Sequence, residues 1–131
     1  MPKIKRPLIF ISISVVIIGI LIFACYLNDV NNYKKAVADI TFSDIDISQI
    51  PNGVYDGAYD VGYISAKVEV SIHNWIIEKI DLVEHKNEKG SSAEVITDSI
   101  IKEQKIDVDA ISGATNSSRV IKKAVENALI Q

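Results

Sequence analysis

The stretch Ile64-Ser-Ala-Lys-Val-Glu-Val-Ser-Ile-His73 contains the most regular pattern in this chain of 131 residues. Apolar side chains occupy every second position, and serine, lysine, glutamate and histidine occupy the positions between them. Successive side chains of a β-strand point to opposite faces, so this period of two predicts a strand with one buried face and one face in water. We therefore expect the folded domain to be built on this strand.

Two further strands are predicted beside it. Gly53 to Tyr59 is expected to form the first strand, in which Gly57 marks either a weak point or a close approach of another backbone. Residues 73–75 are predicted as a turn, and Ile76 to His85 is a second alternating run, with apolar positions at Ile76, Ile80 and Leu82. Three such runs joined by short turns predict an antiparallel meander.

The rest of the domain predicts two helices. Ser91-Ser-Ala-Glu94 matches the capping box that opens a helix, and the next turns supply an apolar face: Val95, Ile96, Ile100 and Ile101. Ile106 to Asp109 is expected to be a short strand, and an apolar stripe from Val120 to Leu129 indicates a terminal helix that starts near residues 115–118. This order of elements predicts an α+β fold over residues 50–131, with an antiparallel sheet covered by two helices.

Residues 8–27 form an uncharged run in which fourteen of twenty side chains are Ile, Leu, Val or Phe. A helix of this length spans about 30 Å, which matches the hydrocarbon core of a bilayer. Because Lys3, Lys5 and Arg6 precede the run, the positive-inside rule predicts a cytoplasmic N-terminus and an extracytoplasmic C-terminal domain. Residues 1–27 are interpreted as a cytoplasmic basic tip with a single transmembrane anchor, and residues 28–49 as a juxtamembrane spacer.

Cys25 is the single cysteine of the chain, and it leaves a second kind of membrane attachment open. Ile22-Phe-Ala-Cys25 has the outline of a lipoprotein cleavage box, although the long apolar run favours an uncleaved anchor. Because no cysteine follows Cys25, disulfides and thiolate metal sites are excluded from the outer part. With only His73 and His85 available, a histidine-based metal site is not expected either.

The outer part of the chain is acidic. From Asn28 onward it contains eleven basic and seventeen acidic residues, a net charge of −6. Phosphate groups of nucleic acid and of anionic lipid headgroups are repelled by such a surface. Binding to nucleic acid is therefore not expected, and small redox partners with basic surfaces suit this domain better.

The segment Asp109-Ala-Ile-Ser-Gly-Ala-Thr115 stands directly in front of the terminal helix. The start of a helix presents unpaired N–H groups and about half a positive charge, which suits a phosphate group. Gly113 allows a sharp turn and a close ligand because it has no Cβ. A simpler interpretation is also open, because threonine, asparagine and serine are common helix N-caps and glycine is an ordinary turn residue.

The segment resembles the flavinylation motif of the FMN-binding domain family, which occurs in subunits of Na⁺-translocating NADH:quinone reductase and of the Rnf complex. Five residues carry the resemblance: Asp109, Ser112, Gly113, Ala114 and Thr115. The order of the predicted strands and the Ala/Val/Leu-rich helix after the motif are similar as well. The resemblance implies that Thr115 carries FMN through a phosphoester bond, and that the other four residues form the turn that a transferase recognises.

The resemblance also extends to Val83-Glu-His85 before a polar loop, and it implies a contact between His85 and the flavin. The family often has a Glu-Thr-Pro-Gly type of loop after this histidine. Here the loop is Asn87-Glu-Lys-Gly90, so the resemblance leaves open whether this loop contacts the flavin.

The function implied by the resemblance is that of a membrane-anchored electron-transfer module without catalytic residues of its own. Its partners would be an FAD:protein FMN transferase that uses Mg²⁺, membrane quinone or NADH reductase components and an external electron acceptor, with membrane lipid around the anchor. Two alternatives stay open. One is a noncovalent FMN-binding or sensor module, and the other is a membrane-tethered interaction domain without a cofactor, in which Ser-Gly-Ala-Thr is only a helix cap.

Overall fold

The computed structural model describes residues 5–86 and 91–131, and the chain divides into two compact units, Met1–Asn32 and Tyr33–Gln131. Lys3 of the predicted basic tip and the predicted polar loop at residues 87–90 lie outside the described residues. The described secondary structure has the α+β composition that the sequence predicts, with one long apolar helix, a three-stranded antiparallel sheet and two further α-helices.

The first unit consists of the greater part of helix α1, Lys5–Ala38. Its apolar side chains between residues 8 and 27 are exposed to the surroundings, which is unlike a core helix of a soluble fold. The hydroxyls of Ser12 and Ser14 donate to the carbonyl oxygens of Ile9 and Ile11 at 2.8 Å, so both polar groups are satisfied inside the helix. The helix is long and apolar enough to cross a membrane.

The sheet of the second unit contains β1, Gly53–Asp60, β2, Ser65–His73, and β3, Ile76–Lys86, in that order. All neighbours are antiparallel, as the predicted meander requires. The regular alternation in β2 is confirmed, because its apolar positions are buried and the positions between them are exposed or half-buried. The turn into β3 has left-handed backbone at Asn74 and Trp75, with φ of 50° and 65°.

The apolar phase of β3 differs from the sequence prediction. Ile80 is buried as predicted, but Ile76 is exposed, and Ile77, which was not among the predicted apolar positions, is buried. Irregularities in the pairing of β2 with β3 leave Glu78 and Val83 without a direct partner on β2. Each such β-bulge adds one residue to a strand and exchanges the faces of the residues beyond it.

The helix after β3 also begins differently from the prediction. Ser91–Val95 forms a 3₁₀ helix, and α2 follows at Ile96–Glu103 with Val95 as an N-cap that makes no side-chain capping bond. α2 ends at Gln104, whose backbone is left-handed. Its side-chain amide bonds both the N–H and the carbonyl of Ile77, which ties the end of α2 to β3.

The predicted strand at residues 106–109 is wrong. The segment has no strand structure, and the N–H of Val108 bonds the Ile106 carbonyl at 2.8 Å in a tight turn. Ile106 and Val108 are buried, which explains the apolar pattern. The carbonyl of Val108 accepts a bond from the Lys122 ammonium at 2.8 Å, so a side chain satisfies it where a strand would use a neighbouring strand.

The last helix, α3, covers Thr115–Leu129 and packs on β1 and β2. Gly57 is the point of closest approach, because a Cβ at that position would lie 2.1 Å from the backbone oxygen of Ala124. Tyr33, Val37 and Ile40, from the segment that the sequence suggests is a spacer, are also buried in this unit. A second 3₁₀ helix, Ile47–Gln49, precedes β1.

Candidate functional site

The motif between Asp109 and Thr115 forms a turn on the surface of the second unit. The N–H of Ala114 bonds the carbonyl oxygen of Ile111 at 3.0 Å, which closes a four-residue turn through Ser112 and Gly113. Gly113 has a φ of 79°, the left-handed value that glycine adopts without strain. A Cβ at Gly113 would meet nothing within 4 Å, so its backbone conformation, and not lack of space, requires glycine there.

The start of α3 rules out the simpler interpretation in which Thr115 is a helix cap. The N-cap residue is Ala114, which has no side-chain oxygen, and Thr115 is the first helical residue. The first backbone bond of the helix runs from the Ser118 N–H to the Ala114 carbonyl at 3.0 Å. The N–H groups before it therefore have no acceptor within the helix and no capping side chain. An anion is the natural partner for such a helix end.

Thr115 is exposed at this helix end. Within residues 5–86 and 91–131, no hydrogen bond engages its hydroxyl group. Ala114 beside it is buried and fixes the backbone from which Thr115 projects. A second protein could therefore reach the hydroxyl oxygen without displacing any packed side chain.

Ser118 is a residue of the site that the sequence interpretation missed. Its side chain is fully buried, and its hydroxyl accepts the Ile111 N–H at 3.0 Å and donates to the Ala114 carbonyl at 2.7 Å. The sequence could have indicated its bond to Ala114, because a serine hydroxyl inside a helix commonly bonds the carbonyl four residues earlier. The bond to Ile111 depends on the fold of the turn and could not have been predicted.

The neighbouring Ser117 is a contrasting case. Its side chain is 2% exposed, and its hydroxyl has no hydrogen-bond partner among the described residues. The two adjacent serines are thus equally buried, but only Ser118 is bonded to the turn.

Asp109 lies just before the turn and is exposed, so its carboxylate is available to a recognition partner. The residues ahead of it are held in place. Lys122 of α3 is 4% exposed, and its ammonium group bonds Asp107 at 2.9 Å as well as the carbonyl of Val108. This buried amine anchors the chain that leads into the motif.

His85 lies near the end of β3, opposite Ala66 of β2. Its side chain is 2% exposed, and its Nδ1 lies 3.1 Å from Oε1 of Glu94 in the 3₁₀ helix. That 3₁₀ helix packs against α3, which begins at the motif. The structure thus places Ser112, Gly113 and Ala114 in one turn, with Asp109 just before it and Thr115 at the start of α3 just after it. His85 contacts Glu94 of the 3₁₀ helix, and no hydrogen bond or ion pair between His85 and the motif is seen among the described residues.

The partial positive charge at the site comes from the backbone of α3 at its N-terminal end. Three cationic side chains of α3 are already bonded elsewhere in the unit: Arg119 to the Val37 carbonyl, Lys122 to Asp107, and Lys123 to Glu126. Across residues 5–86 and 91–131, no group of three or more His, Cys, Asp or Glu side chains could hold a metal ion. The arrangement suits a covalent or hydrogen-bonded phosphate at the helix start.

A family model described as an FMN-binding domain matches residues 62–130, just over half of the chain. The matched range begins before β2 and contains His85, the motif turn and α3. No curated protein and no solved structure matched the chain.

Proposed function

Because this chain belongs to the FMN-binding domain family and takes FMN as its cofactor, we propose that Thr115 carries the FMN through a phosphoester bond. The observation that supports this most directly is the start of α3. Thr115 is the exposed first residue of the helix. The N-cap residue before it, Ala114, has no side-chain oxygen to accept a bond from the first-turn N–H groups. The hydroxyl oxygen lies at the same helix end as the first-turn N–H groups, which have no acceptor within the helix.

The residues present fit a phosphate at this position. A phosphate attached at Thr115 would lie at the positive end of α3, where negative charge is stabilised by about 0.3 to 1 kcal/mol at an exposed site. First-turn N–H groups would bond its oxygens. The surface at Gly113 is open, since a Cβ there would meet nothing within 4 Å, so Gly113 itself presents no obstacle to a group attached at Thr115.

The attachment reaction uses FAD as the FMN donor. The Thr115 hydroxyl oxygen forms a bond to the phosphorus on the FMN side of the pyrophosphate, and the bond from that phosphorus to the bridging oxygen breaks. AMP leaves with the bridging oxygen and its electron pair, and the hydroxyl proton goes to a base. The base and the Mg²⁺ belong to the FAD:protein FMN transferase in this proposal, so the chain has to supply only an accessible hydroxyl in a recognisable turn.

The loaded domain acts as an electron carrier. Bound FMN supplies one- and two-electron transfer, while the protein positions the ring and sets its environment. The acidic outer part, with its net charge of −6, favours encounters with basic redox proteins. We place membrane quinone or NADH reductase components on one side of the transfer and an external acceptor on the other.

We propose that the domain lies outside the cytoplasm and that α1 tethers it to the membrane. The uncharged run after Lys3, Lys5 and Arg6 supports this orientation through the positive-inside rule. A covalent bond to the cofactor has a clear advantage there, because FMN lost outside the cytoplasm is not replaced. Cleavage and lipid attachment at Cys25 would give the same tether by another route, and incorporation of labelled palmitate that is lost in Cys25→Ser distinguishes the two.

A noncovalent FMN-binding or sensor module is the second candidate function. It uses the same fold and the same cofactor, and it differs in how the flavin is held. An interaction domain without cofactor fits less well, since the family match indicates FMN and the motif threonine does not cap α3.

The deciding experiment is to incubate the purified full chain with FAD, Mg²⁺ and a transferase, and then to denature the product. Covalent loading adds about 438 Da, which is the mass of FMN less one water, and gives a fluorescent band in a denaturing gel. One AMP should be released for each FMN bound. Yellow colour that washes out on denaturation would support the noncovalent module and contradict our proposal.

A further inference from the structure

The hydroxyl of Ser118 joins the two ends of the motif turn. It accepts the N–H of Ile111 at 3.0 Å and donates to the carbonyl of Ala114 at 2.7 Å. Ile111 and Ala114 are also the residues whose backbone bond closes the turn. One fully buried side chain therefore fixes both flanks of the exposed pair Ser112 and Gly113.

We propose that Ser118 is a positioning residue for flavinylation, which holds the turn in the conformation that the transferase accepts. This inference rests on the covalent loading proposed above. Ser118 does not touch the flavin or the reacting phosphorus in this scheme. It acts through the backbone on either side of the turn, at Ile111 and Ala114, directly before Thr115.

The turn needs such support because little else holds it. Ser112 and Gly113 are exposed, so packing does not fix their conformation. One backbone bond, from Ala114 to Ile111, closes the turn, and bonds of this kind in exposed segments open readily. The Ser118 hydroxyl adds an acceptor for the Ile111 N–H that comes from the buried face of α3. The exposed turn is thus tied to the packed helix.

Loss of this hydroxyl should loosen the turn and leave the domain folded. α3 stays in place through its packed residues, among them Val120, Ile121 and Ala124, which are fully buried. If the transferase accepts only the closed turn, its apparent affinity falls by the fraction of time for which the turn is closed. Saturating protein concentrations overcome this loss, so the effect should appear in KM and leave kcat nearly unchanged.

The test uses the full chain in detergent as wild type, Ser118→Ala and Ser117→Ala. Ser117 provides the matched control, because its hydroxyl is equally buried but has no hydrogen-bond partner among the described residues. Initial rates of FMN incorporation are measured by intact mass, at increasing protein concentration, with FAD, Mg²⁺ and a fixed amount of transferase. Hydrogen exchange at the Ile111 amide reports the state of the turn.

For Ser118→Ala we expect a rise in KM of about tenfold or more, with kcat within about twofold of wild type, because a turn that is closed only about a tenth of the time lowers the apparent affinity by that factor. The Ile111 amide should exchange faster in that variant, while amides in the middle of α3 keep their protection. Ser117→Ala should match wild type in both measurements.

Four results would overturn the positioning role. They are wild-type loading kinetics in Ser118→Ala, unchanged exchange at Ile111, an equal loss in Ser117→Ala, and unfolding of the whole domain by Ser118→Ala. Failure of the wild-type chain to take up covalent FMN would be a different outcome. It would contradict the proposed function, whereas a loaded wild type with an unaffected Ser118→Ala contradicts the positioning role alone.

Discussion

The two ends of α3 are built in opposite ways. Towards its C-terminal half the helix lies so close to β1 that a Cβ on Gly57 would approach the Ala124 oxygen to 2.1 Å. At its N-terminal end a Cβ on Gly113 would meet nothing within 4 Å, and the first turn has no capping side chain. The packed half fixes the helix on the sheet, so the open end presents its hydroxyl from a stable position.

This contrast predicts that the packed end of α3 determines the stability of the domain and that the open end determines cofactor loading. Changes at the packed end should alter the free energy of unfolding and reach the flavin only through loss of the fold. Changes at the open end should alter cofactor loading while the free energy of unfolding stays almost the same. The four predictions below are ordered by their expected effect on the free energy of unfolding, from the largest to the smallest.

Gly57→Ala should destabilise the domain most, by about 3 kcal/mol or more, because the added methyl group forces α3 away from β1. The Ala124 oxygen and the Ala128 N–H are helix backbone atoms and cannot move alone, at 2.1 and 2.5 Å from the new Cβ. Urea unfolding followed by circular dichroism measures the change. Gly53→Ala is the matched control, since its Cβ would make only ordinary contacts with Tyr55 at 3.5 Å. Equal stability of the two variants would contradict the close approach.

Lys122→Met should cost about 2 kcal/mol. The substitution keeps an unbranched side chain of similar length but leaves the buried Val108 carbonyl without its donor, and an unsatisfied buried group costs about 1–3 kcal/mol. It also removes the ammonium group 4.5 Å from the centre of the Phe42 ring. Thermal unfolding of the variant, compared with Lys102→Met on the exposed surface of α2, checks this. A stability loss no greater than that of Lys102→Met would show that the buried amine is not an anchor.

These two predictions depend on tertiary contacts, of Gly57 with α3 and of Lys122 with Val108, that could not be predicted from the sequence. The alternation in β2 predicted a strand because burial on one face is a local, periodic property. In the sequence, Lys122 is adjacent to Lys123, which favours a solvent-exposed helix face for both. In the structure, the ammonium group of Lys122 is buried and bonds residues 107 and 108. Such a contact is decided by tertiary packing, and no local pattern encodes it.

The errors of the sequence prediction have similar causes. Ile106 and Val108 alternate like a short strand, but a tight turn and the Lys122 side chain bury them without a ladder. In β3, the irregularity at Glu78 lies between the buried residues Ile77 and Ile80, so the predicted phase holds at Ile80 but not at Ile76. The motif turn was predictable because it uses local chemistry, a glycine at positive φ before a helix. The two bonds of the Ser118 hydroxyl were not, because one of them crosses seven residues.

Glu126 should make a smaller, pH-dependent contribution. Burial acts to raise the pKa of this carboxyl group, but bonds from the Ser43 N–H and the Lys123 ammonium, both 3.0 Å long, hold the pKa below its ordinary value of 4.5. A carboxylate whose pKa is lower in the folded state stabilises the protein above the unfolded pKa, and that stabilisation is lost as the pH falls through the folded pKa. Glu126→Gln should therefore cost about 1 kcal/mol at pH 7 and less as the pH falls below about 4.5.

The measurement is the difference in the free energy of unfolding between wild type and Glu126→Gln across this pH range. Glu103, exposed at the end of α2, supplies the control substitution Glu103→Gln. A difference that stays constant from pH 7 down to pH 3 would mean that the carboxylate charge plays no part at the packed end of α3.

Thr115→Ala should have the smallest effect on stability and the largest effect on the cofactor. Thr115 is exposed, is the first residue of α3 and does not cap it, so the free energy of unfolding should change by less than about 0.5 kcal/mol. The variant has no hydroxyl oxygen at this position to form a bond to phosphorus. Intact mass after incubation with FAD, Mg²⁺ and transferase should show no added FMN, whereas Thr115→Ser, which keeps an acceptor, should load at least in part.

This last variant separates the two ends of α3 most cleanly. If Thr115→Ala unfolds as readily as Gly57→Ala, the open end belongs to the core, and the contrast between the two halves of α3 is wrong. If it stays folded and still gains the mass of one FMN, the attachment residue has been misassigned, and the exposed hydroxyls nearby, beginning with Ser112, become the next to replace. A folded protein without covalent flavin would leave one consistent explanation, in which the packed half of the helix supplies the scaffold and a single exposed oxygen supplies the attachment point.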